Sequence, residues 1–274
     1  MEYGININYF TKHKQTELEN VAKLVSKAGF RMLDYTPPLL NDNWDFIMQE
    51  HIKIFNEYGL KVHQTHAPFN RYGHYGDKYK VCLDRCAEAT AIMGAEFMVT
   101  HGDEFDFDNL SFSLDAALEY NYKLFLPCVE FAEKNGYKVA FETVFEDNFR
   151  NTRRFTSQDD ELMKLITSFE SSSVVCCWDF GHANISFGKD MPDVIKRFDS
   201  LIQCTHLHDN TGIDSHQIPM TGDIDWKAVM SSFRDIGYEG ILSIEYAHGS
   251  IPEKLRESFI QYTFDSAKYL WNVI

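Results

Sequence analysis

Eight short apolar runs recur along the chain, separated by longer amphipathic segments, and that rhythm limits the fold more than any single motif does. The runs are YGININ (3–8), RMLDYT (31–36), KVHQTHAP (61–68), EFMVTHGD (96–103), KVAFETV (138–144), VVCCWDF (174–180), IQCTHLH (202–208) and ILSIEYA (241–247). Each has the length of a strand, and the intervening segments carry helical periodicity. In TELENVAKLVSKAGF, Leu18, Val21, Leu24 and Val25 share one face, and KYKVCLDRCAEATAIMG ends at Gly94, a helix stop. Strand then helix, eight times with no ninth, is the count of a closed parallel barrel and not of an open doubly wound sheet. The expectation is α/β class: one (β/α)8 TIM barrel occupying residues 1–274 as a single domain, since no low-complexity linker divides the chain.

Composition narrows the partners. The formal charge of -15 disfavours nucleic acid, because neutralising phosphates requires a basic face. Part of that charge is accounted for if acidic residues await a metal. No apolar run approaches the length of a membrane span. MEYGININYF lacks the basic and apolar regions of a signal peptide, so the expected location is cytoplasmic. The six cysteines show no CxxC spacing and fall inside strand-like or helix-like runs, which fits buried, reduced thiols. A homo-oligomer is compatible with all of this.

Catalytic groups of such barrels sit where strands end. At the ends of strands three to eight the sequence places His66, His101, Glu142, Asp179 with His182, His206 with His208, and Glu245. Glu142 and Glu245 lie late in apolar strands, and burying an unpaired carboxylate is costly. A divalent cation is the cheapest partner in sight, with a buried ion pair as the structural alternative. Asp179 and His182 span a turn beginning at Gly181, where a helix-capping role competes. His206 and His208 share a strand face; one of them reaches a metal, and the other suits a supporting role. Asp214 and His216 stand in a long loop before a helix that Asp223 or Asp225 would cap. Two Glu, one Asp and a neutral imidazole are a ligand set for Mn²⁺, Mg²⁺, Co²⁺ or Zn²⁺.

The motifs HAPF, THGD, FETV, WDFGHA, HLHDN followed by DSH, and IEY together resemble the xylose isomerase-like TIM barrels. That family includes sugar and sugar-phosphate isomerases and epimerases as well as the type IV apurinic endonucleases. The resemblance implies a metal site of Glu142, Asp179, His206 and Glu245, with His206 chosen over His208 by the His-Leu-x-Asp pattern. It also implies further ligands, as in the endonuclease branch with its three zinc ions: His66 and His101 on one side, and His182, Asp214 and His216 on the other. One to three ions are therefore expected. The chain departs from the ketose 3-epimerases, whose arginine shortly after the metal histidine is replaced here by Gly212 or Asp214.

Two chemistries follow. In the first, an isomerase or epimerase of a sugar, sugar phosphate or related polyol uses Glu142 and Glu245 as the catalytic pair, moving a proton through an enediolate. His182, His208 and His216 would hold substrate hydroxyls, and Arg150, with Arg153 and Arg154, offers a clamp for a phosphate or carboxylate. In the second, several zinc ions serve a phosphodiesterase. A barrel that binds a metabolite without converting it is a third reading. Phe69, Tyr72, Phe145, Trp178 and Phe180 suit stacking on a sugar or a place in the core.

Overall fold

A computed structural model describes residues 1–11, 15–70, 75–103, 112–146, 154–246 and 251–273. All eight expected strands form: β1 (Tyr3–Asn6), β2 (Met32–Tyr35), β3 (Lys61–His66), β4 (Phe97–Thr100), β5 (Lys138–Glu142), β6 (Val174–Asp179), β7 (Ile202–His206) and β8 (Leu242–Ile244). They pair in parallel in the order β7-β6-β5-β4-β3-β2-β1-β8. A further parallel bridge, Leu207 to Ile244, closes the ring, with Leu207 N donating to Ser243 O at 2.7 Å and Glu245 N to Leu207 O at 3.2 Å. Helices fill the intervals, among them Gln15–Ala28 and Lys78–Met93. The latter stops at Gly94, whose φ of 63° is the left-handed conformation that a residue without Cβ adopts at no steric cost. The fold is the expected (β/α)8 TIM barrel.

Strand alternation sorts side chains into two layers. Phe97, Val99, Ala140, Val175, Cys177 and Cys204 form a small apolar cluster inside the ring. Their neighbours in sequence, including Met98, Val139, Phe141, Cys176 and Trp178, belong to the large core between sheet and helices. The six cysteines are buried and free, as expected. Trp178 and Phe180, candidates for sugar stacking, are both fully buried in the outer core, and Tyr72 lies outside the described residues. The outer core wins them because a large aromatic surface gains most from complete burial.

Two strands break register to keep the correct residues inside. Between β6 and β7 the pairing runs from Cys176–Ile202 to Cys177–Cys204, leaving Gln203 as an extra residue. Between β2 and β3 it runs from Leu33–Val62 to Asp34–Gln64, leaving His63 over. Each extra residue shifts the alternation by one, so Cys204 and His206 on β7, and Gln64 and His66 on β3, turn inward. The apolar plug fills the lower barrel, and polar side chains crowd the carboxyl rim above it.

Candidate metal centre

Glu142, Asp179 and His206 are the last residues of β5, β6 and β7, and Glu245 follows β8 directly. One donor atom from each lies within 4.8 Å of the others, and all four residues are buried. Nδ1 of His206 stands 3.1 Å from Glu142 Oε2, 3.3 Å from Glu245 Oε2 and 3.9 Å from Asp179 Oδ2. Two ligands each about 2.1 Å from one ion are separated by about 3 Å at right angles and about 3.4 Å at the tetrahedral angle. The gap therefore has the size of a divalent cation. Nδ1 of His206 has no aligned hydrogen-bond partner among the described residues, so a buried ring nitrogen faces three carboxylates. These residues fit a metal ion.

Two further groups flank this one. Nε2 of His66 and Nε2 of His101 approach Glu142 Oε2 at 3.1 and 3.2 Å. On the other side His182, His208, Asp214 and His216 also place donor atoms within 4.8 Å of one another. Asp214 Oδ1 is 3.1 Å from His216 Nε2 and 3.7 Å from His182 Nε2. Asp214 and His216 arrive from their loop because Asp209 and Gln217 form an antiparallel bridge. The buried Asp209 carboxylate anchors that loop, accepting from Asn210 N at 2.9 Å, Met220 N at 2.9 Å and Trp226 Nε1 at 2.8 Å. Asp225, one of the two expected caps, accepts from Ala228 N at the start of the helix Trp226–Asp235.

Asp179 combines a capping bond with a place in the buried cluster. Its Oδ1 caps the helix Phe180–Phe187 by accepting from His182 N at 2.6 Å, while the carboxylate faces the centre. His208 Nε2 lies 3.0 Å from both Asp179 oxygens, and its ring stacks on His216 at 3.9 Å. His208 is thus fully buried within that second group and absent from the cavity wall, where a hydroxyl-binding residue would stand. Gly181 makes the space, since a Cβ there would sit 1.9 Å from His208 Cε1.

Burial disfavours every charge in this cluster, yet opposite charges prevail at most positions. Glu142 would be pushed up by burial, but His206 and His101 hold it well below the usual carboxylate range. Burial likewise opposes charge on His206, and Glu245 and Glu142 raise it well above 6.5. For His66 and His216 burial is again outweighed, by Glu142 and by Asp214 respectively, and each rises to about 9. Burial wins at His101, which is lowered despite Glu142. Protons thus hold the carboxylates apart where cations would, and ion binding would release them.

The centre opens into a cavity of about 470 Å³. Its wall includes Glu142, Glu245, His182 and His216, with Asn8, Thr36, Phe69 and Phe145 around them. Arg154 is the only Lys or Arg on this wall among the described residues. It is buried, donates to Phe145 O at 3.0 Å and packs over the Phe145 ring at 4.9 Å. Arg150 and Arg153 lie outside the described residues. Sequence reasoning passed over Asn6 and Asp34, buried polar residues on the inward faces of β1 and β2. The available signal was a polar residue inside each of two apolar runs.

A parallel eight-stranded barrel with a carboxylate and imidazole centre at its carboxyl rim defines the class. The chain belongs to the xylose isomerase-like TIM barrel family, whose profile matches residues 22–262. It is 23% identical over 271 residues to an uncharacterized protein of Methanocaldococcus jannaschii, covering 96% of this chain and 89% of that one. An uncharacterized protein of Sinorhizobium fredii is 24% identical over 278 residues, with 89% and 87% covered. Among solved structures, a D-tagatose 3-epimerase-like protein superposes with a TM-score of 0.78 at 18% identity, covering 99% and 98% of the two chains. The 3-keto-D-glucoside 4-epimerase of E. coli gives 0.74 at 18%, covering 98% and 97%. A putative xylose isomerase of Rhodospirillum rubrum gives 0.79 at 18%, covering 98% of each. At such identities the likeness is one of fold.

Proposed function

We propose that the chain is a metal-dependent isomerase or epimerase of a sugar, sugar phosphate or related polyol. The observation that carries this reading is the placement of Glu142 and Glu245: both line one cavity, and both converge on His206 Nδ1 at 3.1 and 3.3 Å. Glu142, Asp179, His206 and Glu245 would hold the ion. When bound, it would polarise a substrate carbonyl and offset the charge of an enediolate. Glu142 and Glu245 would take a proton from the carbon beside that carbonyl on one face and return it on the other. From the cavity wall, His182 and His216 would donate to substrate hydroxyls, and Arg154 would meet an anionic substituent. A cavity of about 470 Å³ falls in the range of small-molecule sites. Solved relatives of the same fold named as epimerases support the choice.

A second reading, a multi-zinc phosphodiesterase, is favoured by the donor groups on either side of the central four and by the sharing of Glu142 between groups. The charge of -15 and a described wall with Arg154 as its single Lys or Arg disfavour a DNA duplex as partner. The test is metal analysis together with incubation of candidate sugars in deuterium oxide. Deuterium entering a carbon next to a carbonyl supports the first reading, and Glu245→Gln should abolish it. Three zinc ions per chain together with cleavage of abasic DNA would establish the second reading instead.

A further inference from the structure

Asp34 belongs to none of the candidate ion-binding groups, yet it is fully buried on the inward face of β2, directly behind the centre. Its Oδ2 lies 3.0 Å from His206 Nε2. Asn6, its register partner on β1, donates Nδ2–H to the same oxygen at 3.2 Å and accepts from Asn8 N through Oδ1. Asp34 Oδ1 has no hydrogen-bond partner among the described residues. The nearby His63 offers no positive charge, because burial lowers its pKa to about 4 against the pull of Asp34. A carboxylate in such a place is costly unless a donor answers it. Besides Asn6, the imidazole of His206 is the donor that reaches it.

That ring stands between two carboxylate environments. Nδ1 faces Glu142, Glu245 and Asp179, and Nε2 faces Asp34. A neutral imidazole offers a lone pair from one nitrogen only while the other keeps its proton, and the group bonded to the protonated nitrogen decides which is which. We infer that Asp34 is the positioning residue for His206, holding the proton on Nε2 so that Nδ1 is left to the ion. The 3.0 Å approach lies off the N–H axis. The inference rests on the metal-centre reading above.

The test measures ion affinity, not turnover. Dissociation constants for Mn²⁺ and Zn²⁺ would be determined by chelator competition for the unaltered protein, Asp34→Asn, His206→Ala and the double variant. Asp34→Asn should bind about 10- to 100-fold more weakly, the usual consequence of losing such a partner. In the His206→Ala background the same change should add nothing. Equal affinity in Asp34→Asn and the unaltered protein would overturn the inference, as would an equal loss in both backgrounds, which marks a general structural effect. An unaltered protein that takes up no divalent ion overturns the metal centre itself, a separate and recognisable failure. Should Asp34→Asn fail to fold, ¹⁵N shifts of the His206 ring in the intact zinc-loaded protein report the tautomer directly. Protonated Nε2 with ion-bound Nδ1 supports the inference, and the reverse sinks it.

Discussion

Replacing Glu142 with glutamine removes one charge from beside four imidazoles: His66, His101, His182 and His206 all lie 3.1 to 3.2 Å from its oxygens. His66 gives the scale. Burial favours its neutral form, yet Glu142 raises its pKa from 6.5 to about 9, a rise worth about 3 kcal/mol. Because the folded-state value lies above the unfolded one, this contribution is complete below pH 6.5 and disappears as pH climbs through about 9. For a chain of this size, that corresponds to a melting temperature falling by roughly 6 to 12 °C across the window. Buried thiols add a loss of the same sign at higher pH, since burial pushes Cys86 and Cys128 up to about 12. The informative quantity is therefore the difference between the two proteins. Calorimetric melts of chelator-stripped Glu142→Gln and unaltered protein at pH 6.5, 8 and 9.5 should converge as pH rises. Parallel curves would refute the reasoning. With excess Zn²⁺ the unaltered protein should lose the part of its pH slope that comes from His66, because ions then do the work of the protons, while the thiol contribution stays.

Two further substitutions probe the scaffold of the centre. Gly181→Ala places a Cβ 1.9 Å from His208 Cε1, and His208 is fully buried against Asp179 and His216; a loss of about 3 kcal/mol in urea unfolding is expected from such overpacking, with fewer ions bound per chain, and an unchanged midpoint would contradict the packing argument. Asp209→Asn leaves three anchoring donors with a weaker acceptor; about 2 to 3 kcal/mol should be lost, and proteolysis between 210 and 223 should accelerate, whereas unaltered cleavage kinetics would show the loop is held by other means.

Strands such as β4, β5 and β6 were legible because below the rim their inward and outward faces are both apolar, so each reads as a short continuous run. Glu142, Asp179 and Glu245 were legible for the opposite reason: a carboxylate at the end of such a run is expensive enough to be conspicuous. The loop residues Asp214 and His216 had no such contrast. Their approach to His182 depends on Asp209, whose acceptor bonds reach as far as Trp226, a long-range tie that local pattern cannot express. Asp34 was hidden for a related reason. In RMLDYT a polar residue between Leu33 and Tyr35 reads as ordinary strand alternation, and only the closed ring brings it behind His206 from the other side of the barrel.

His206 shows how little separates a histidine that faces the centre from one that packs in the core of this fold. Strict alternation from Ile202, which packs in the outer core, would send Cys204 and His206 outward as well. Gln203, the residue without a register partner, reverses that phase. Downstream of it Cys204 joins the inner plug, His206 meets Glu142 and Glu245, and Leu207 returns to the outer core. His63 performs the same reversal on β3, ahead of Gln64 and His66. The two strands that carry an extra residue are thus strands whose final histidines point at Glu142, and those histidines stack on each other at 5.3 Å across the ring. Both irregularities lie below the rim, where they interrupt a ladder already bonded on either side and disturb few groups. The rim residues themselves continue in regular pairing, so the geometry of the centre rests on ordinary strand ends whose phase was set several residues earlier.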